Sequence, residues 1–409
     1  MTSNVYAEIA FYAYLLLLAP LYRALADKVS AQTRGALLGA VSLGVFLLCG
    51  LPLYLLAFYA LYAGGVALYG LILFQAGSKS DRRRAVLLGL GVLTISLILM
   101  FLNYNYYFGA IFFKFSLQEY LASLSWVGLS YFTFRAIDVL IYAGSSLTRA
   151  YSPVLSLGYL LFFPTFLLGP INRYSAFVHE IEAEQRPLPG LELRDLALRV
   201  GCGVLKALWI APLFLQHSLF ALKPEALPLS LGQILLACYA SYLYIYIEFS
   251  GYSDIAISVA RLFNINAPEN FNLPFLSGSI KEFWNRWHIS FAHWCRDNIF
   301  FVLLRLLTVR APAIPPFFAQ ILCFFVTFLF MGAWHGDSLN WLLYGVYHAL
   351  GMCLWFAYNR FMDRRAPDLY DRLLDSRGYK LFCCVLTFHF VALGLVLTRD
   401  FAFLGKMLG

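Results

Sequence analysis

Charge is scarce in this sequence, and what there is leans one way: charged residues make up 13% of the 409, with 30 Lys and Arg against 22 Asp and Glu. A soluble domain of ordinary composition is about 25% charged, so a solvated globular fold is excluded. Metal-ligand spacing is missing too. The eight cysteines mostly fall within apolar segments, where a thiol packs as a small hydrophobe. The first apolar run, Tyr6 to Leu18, has neither a basic start nor a small-residue cleavage site, so it is expected to remain as a membrane segment. Internal repeats and low-complexity tracts are absent, which predicts a single membrane domain over residues 1–409.

In place of charge stand apolar and aromatic residues, 61% and 18% of the chain, with a mean hydropathy of +0.72. An all-α polytopic membrane protein follows. Runs of about 20 apolar residues cross a bilayer at 1.5 Å per residue, and the pattern predicts roughly eleven crossings. They are Tyr6 to Ala26, Ala36 to Gly50, Pro52 to Gln75, Ala85 to Leu102, Leu117 to Tyr142, Leu155 to Leu168, Leu196 to Phe220, Leu231 to Tyr246, Phe317 to Gly332, Trp341 to Tyr358 and Leu381 to Leu397. Pro52, Pro164 and Pro274 break some of these runs, which suits re-entrant or horizontal helices.

The net charge of +8 is no sign of nucleic acid, because the basic residues sit in short clusters between apolar runs. Clusters at Arg23 to Arg34, Lys79 to Arg84, Arg305 to Arg310 and Arg360 to Lys380 mark cytoplasmic loops. They also set a depth for His335. The segment ending Trp334-His335-Gly336-Asp337 climbs away from the Arg305 to Arg310 cluster and the next run descends, placing His335 at the far end of a hairpin.

Histidines at such depth are costly without a task or a partner. His288, in Trp284-Asn285-Arg286-Trp287-His288, and His335 are the candidates for chemistry, with Asn285, Arg286, Trp287, Trp334 and Ser253 as candidate substrate contacts. Ser279 to Leu307 reads as one helix, capped by Ser279 with Glu282 three residues on, and Glu282 can pair with Arg286. His293 and His348 are expected to pack or hydrogen-bond locally. Arg135 and Asp138, one turn apart, are expected to neutralise each other.

Four blocks carry a wider resemblance: Gly169-Pro170-Ile171-Asn172-Arg173-Tyr174, Glu248 to Asp254, Pro268 to Pro274 running into Phe283 to His288, and Met331-Gly332-Ala333-Trp334-His335-Gly336. In order and spacing, over about residues 128–350, they resemble the membrane-bound O-acyltransferase family, and most closely its branch that transfers D-alanine to teichoic acids. The resemblance implies a ring of helices around a central funnel. It also implies a D-alanyl thioester on the phosphopantetheine arm of a small cytoplasmic carrier protein, with no cofactor bound to the chain itself.

Further partners it implies are a small membrane peptide, an acyl-transfer partner on the outer side, an envelope-polymer acceptor and membrane lipid, with the chain multi-pass in the bacterial cytoplasmic membrane. His335 would be the base and His288 would orient the donor or polarise the thioester carbonyl. Phe300, Phe301 and Leu304, beside Arg305 and Arg310, would offer the carrier an apolar patch with a basic rim. Two alternatives stay open. One is a polysaccharide or peptidoglycan O-acetyltransferase, against which the sequence lacks the glycine pair those enzymes carry after Arg296-Asp297. The other is a transporter or channel.

Overall fold

The computed structural model describes residues 9–77, 81–112, 128–148, 150–184, 187–223, 228–336, 338–399 and 401–408. Every regular element among them is helical. Among the described residues, six helices are long and apolar enough to cross a membrane: Ala31–Leu48, Leu53–Ala76, Gly190–Leu215, Leu231–Leu262, Pro316–His335 and Arg377–Thr398. The expected crossing Leu155 to Leu168 is instead a nine-residue helix, Pro153–Leu161, ended by a turn at Phe163–Thr165 around Pro164. At 1.5 Å per residue it is too short to span. The first half of the run Leu117 to Tyr142 lies outside the described residues.

Contacts divide the chain into two compact units, residues 1–204 with 251–268, and residues 205–250 with 269–409. The first unit holds α1 (Ile9–Ala26), α2 (Ala31–Leu48), α3 (Leu53–Gly77), α4 (Asp81–Phe112), α5 (Leu129–Ala143), α6 (Pro153–Leu161), α7 (Tyr174–Glu182) and α8 (Gly190–Val204). A tight crossing of α2 on α6 relies on small residues, since a Cβ on Gly158 would collide with the carbonyl of Gly35. The last part of α10 (Leu231–Leu262) is tied to α8 by two ion pairs, Arg199 Nε to Asp254 Oδ1 at 2.8 Å and Arg261 Nε to Glu192 Oε1 at 2.6 Å. Ser253 is buried on this part of α10.

Arg135 and Asp138 take different partners from those expected. Arg173 Nη1 reaches Asp138 Oδ1 at 3.1 Å, and the Tyr174 backbone N–H donates to Asp138 Oδ2 at 2.5 Å. Arg135, fully buried, donates to the carbonyls of Tyr159 and Phe162 and lies over the Tyr159 ring at 4.7 Å. Those carbonyls end α6, where a helix has unsatisfied acceptors and partial negative charge. A cation is stabilised there without a carboxylate.

The second unit contains α9 (Ala211–Leu215), the first part of α10, α11 (Ile280–Arg286), α12 (Ile289–Cys295), α13 (Phe301–Arg310), α14 (Pro316–His335), α15 (Leu339–Arg365), α16 (Pro367–Asp375), α17 (Arg377–Gly394) and α18 (Phe401–Leu408). α14 and α15 form a close antiparallel hairpin. Its contact rests on glycine, because a Cβ on Gly332 would strike the Trp341 carbonyl and one on Gly345 the Phe328 carbonyl.

Candidate active site

The predicted helix from Ser279 to Leu307 starts as expected and then breaks. Ser279 Oγ accepts the Glu282 N–H at 3.2 Å, and Glu282 pairs with Arg286 at 2.8 Å while also accepting the Gly278 N–H at 2.7 Å. The helix ends at Arg286. His288 adopts the left-handed region, φ 43° and ψ 50°, between α11 and α12. Few non-glycine residues take this conformation, and those that do cluster at functional sites. A π-helical stretch, Arg296–Phe300, then separates α12 from α13.

The break is imposed by the preceding loop. Asn272 N–H donates to the Arg286 carbonyl and Ile289 N–H to the Asn270 carbonyl, each at 2.9 Å. These bonds replace helical ones and bring the buried Asn270 side chain under His288. Its Oδ1 accepts from Ser290 N–H at 3.3 Å and Ser290 Oγ at 2.9 Å, and lies 3.1 Å from His288 Nδ1. A backbone N–H only donates, so the amide atom there is oxygen, and His288 Nδ1 must carry its proton toward it. Nε2 of the neutral ring therefore bears the lone pair.

His288 lies between two helices of seven residues each, neither able to span a membrane. Burial holds its imidazole well below the ordinary 6.5, and the nearby His335 ring lowers it further. A neutral ring that donates through Nδ1 can accept at Nε2 but cannot donate there. Polarising a thioester carbonyl, one of the two roles expected of His288, is thus closed to this tautomer; orienting a group by accepting its proton remains open.

His335 is the last residue of α14. It meets Trp334 at 4.6 Å between centroids, lies nearly parallel to Trp341 at 5.3 Å and 21°, and faces the edge of Phe291 at 6.4 Å. The residue as a whole is nonetheless exposed. The close approach of Trp341 depends on Gly336, where a Cβ would overlap the indole. Asp337, expected in the same turn, lies outside the described residues.

The two histidines converge on one aromatic pair. Phe291 and Trp334 pack at 4.3 Å, with His288 at 5.0 Å from Phe291 and 6.3 Å from Trp334. Phe249 closes on His288 edge-on at 4.7 Å. Trp287 stacks on Phe283 at 5.5 Å and 22°, so it packs the wall behind His288. Arg286 is committed to Glu282 and to the Asn272 carbonyl at 3.2 Å, a structural duty, whereas Asn285 is exposed.

Asn270 is the residue sequence reasoning missed. Its signal was an amide in the breaker-rich run Pro268 to Pro274, directly before the most polar membrane-associated stretch. His348, expected to pack locally, is buried against Trp284 at 5.2 Å, Tyr344 at 4.5 Å and Phe390 at 5.7 Å.

The predicted carrier patch is only partly at the surface. Phe301 is 51% exposed, but Phe300 turns onto Phe324 of α14 at 5.0 Å and Leu304 is half-buried. Val302, Leu306 and Val309 are exposed on the same helix.

The model of the MBOAT, membrane-bound O-acyltransferase family, matches residues 87–370. The teichoic acid D-alanyltransferase of Bacillus subtilis (strain 168) is 32% identical over 276 residues, covering 66% of this chain and 68% of that protein. That of Streptococcus thermophilus is 29% identical over 289 residues, covering 68% and 69%. A probable alginate O-acetylase of Pseudomonas aeruginosa is 27% identical over 355 residues, covering 84% of this chain and 63% of its own length.

Proposed function

This chain belongs to the membrane-bound O-acyltransferase family and is a multi-pass membrane O-acyltransferase, and from that premise we propose that it moves D-alanine from a carrier-protein thioester to an acceptor hydroxyl of an envelope polymer. The observation that carries the reading is the convergence of His288 and His335 on the Phe291–Trp334 pair. Similarity to teichoic acid D-alanyltransferases supports the choice of acyl group, and a bacterial cytoplasmic membrane is the setting this implies.

His335 takes the proton from the acceptor hydroxyl as its oxygen attacks the thioester carbonyl. The C–S bond breaks, and the departing phosphopantetheine thiolate recovers the proton from the imidazolium. General-base help of this kind contributes about 10² to 10⁴ in rate. His288, with its lone pair at Nε2, holds an N–H or O–H of a reactant in line. The Phe301 side of α13 receives the carrier, which delivers its arm from the cytoplasm. A membrane peptide and an outer-side partner assist transfer to that acceptor hydroxyl.

The test is reconstitution in proteoliposomes with a carrier charged with labelled D-alanine. Carrier-dependent loss of label to a hydroxyl acceptor is expected, with His335→Ala slower by about 10² to 10⁴. Transfer from acetyl donors alone would favour the alginate-type reading, and solute flux without any acyl donor would favour transport.

A further inference from the structure

A cavity of about 920 Å³ in the second unit is lined by neither catalytic histidine. Its size lies within the roughly 300–1,000 Å³ of built ligand sites. Leu354 of α15, Leu374 of α16 and Phe390 of α17 contribute to a mostly apolar lining, with Ile280 from the start of α11. Polar groups gather on one set of residues: Tyr358 and Tyr379 share a hydroxyl–hydroxyl hydrogen bond at 3.0 Å, and the Tyr370 hydroxyl donates to Asn359.

The charges in this lining are unequal in what they can do. Glu282 is paired with Arg286 at 2.8 Å and accepts the Gly278 N–H at 2.7 Å. Lys380 is exposed, and among the described residues no carboxylate pairs with it. The residues around it are those of an interfacial segment. α16 places Leu369, Tyr370, Leu373 and Leu374 on one face and Asp368, Asp371, Arg372 and Asp375 on the other, the pattern of a helix lying at a membrane surface. It sits within the basic stretch Arg360 to Lys380, which marks the cytoplasmic side.

A mostly apolar lining, a belt of tyrosine hydroxyls and an ammonium with no carboxylate partner among the described residues match one ligand chemistry, an amphiphile with a negative head. A small hydrophilic anion would leave the apolar walls unused. We propose that this cavity binds an anionic phospholipid of the surrounding bilayer, with an acyl chain between α15 and α17 and its phosphate at Lys380. The inner wall, Phe390, stacks on Tyr347 at 4.2 Å and touches the His348 ring, so a seated chain also packs the back of the helix that carries Trp341.

The experiment is native mass spectrometry of the full chain in mild detergent, titrated with phosphatidylglycerol or with phosphatidylcholine. One phosphatidylglycerol should be retained per chain, in preference to phosphatidylcholine. Lys380→Ala should weaken retention about fivefold, the value of one basic residue against an anionic lipid surface. Leu354→Trp and Leu374→Trp, which fill the cavity from two different helices, should each abolish retention with an unchanged melting temperature. Equal retention of both lipids, retention surviving either folded tryptophan variant, or a co-purified peptide crosslinked to Leu354 would each overturn the proposal.

Discussion

Asn270 Oδ1 and His288 Nδ1 stand 3.1 Å apart, and this contact joins the loop before α11 to the break after it. The same oxygen also accepts two bonds from Ser290. Asn270→Ala would remove the one acceptor these groups share, at a cost of about 1–3 kcal/mol. The variant is expected to lose stability by at least that amount in a detergent melt and to lose transfer activity even where it stays folded. Asn270→Asp should fold better than Asn270→Ala, because the carboxylate still accepts from all three groups.

Gly336→Ala tests the placement of His335. The added Cβ overlaps the Trp341 ring that lies parallel to the imidazole. Displacement on the order of 1 Å can cost about 10²-fold. The expected result is a fall in kcat of up to about that size with carrier binding intact. Restoration by Trp341→Ala, which opens the space again, would show that the collision and not the turn is responsible.

The buried neutral state of His288 gives stability a direction with pH. Its folded value lies below 6.5 while the unfolded ring titrates near 6.5, so below that pH the unfolded chain binds the extra proton. Stability should therefore be full above about 6.5 and fall as the pH drops toward the folded value. Melting curves between pH 5 and pH 8 check this. His288→Asn should flatten the acid side, and an unchanged slope would assign the effect to another group.

At the proposed carrier surface the structure separates two neighbouring phenylalanines. Phe301→Asp should weaken capture of the charged carrier without altering the melting temperature, since that ring is exposed. Phe300→Ala should act in the opposite sense, lowering stability by about 3–5 kcal/mol at most through the lost packing on Phe324, with less effect on capture. A pull-down alongside a melt distinguishes them.

Local chemistry made much of this site legible. The cap at Ser279, the Glu282–Arg286 pair and the hairpin end at His335 rest on neighbours a few residues apart, and all three are present in the structure. The break at His288 was hidden because Trp287-His288-Ile289 contains neither glycine nor proline. It is set from outside the helix, by the Asn270 carbonyl and side chain, and helical periodicity carries no trace of that. Arg135 was misassigned for a related reason: spacing along α5 suggested Asp138, whereas the unsatisfied carbonyls of α6 came from a distant part of the chain.

The central claim is that His288 and His335 serve one reaction, and a double-mutant cycle on single-turnover D-alanyl transfer tests it most directly. Groups acting as a unit are strongly non-additive. The account predicts that His335→Ala costs about 10² to 10⁴ and that adding His288→Ala costs little more. Losses that multiply, or a His335→Ala chain that turns over like the unaltered protein, would contradict it.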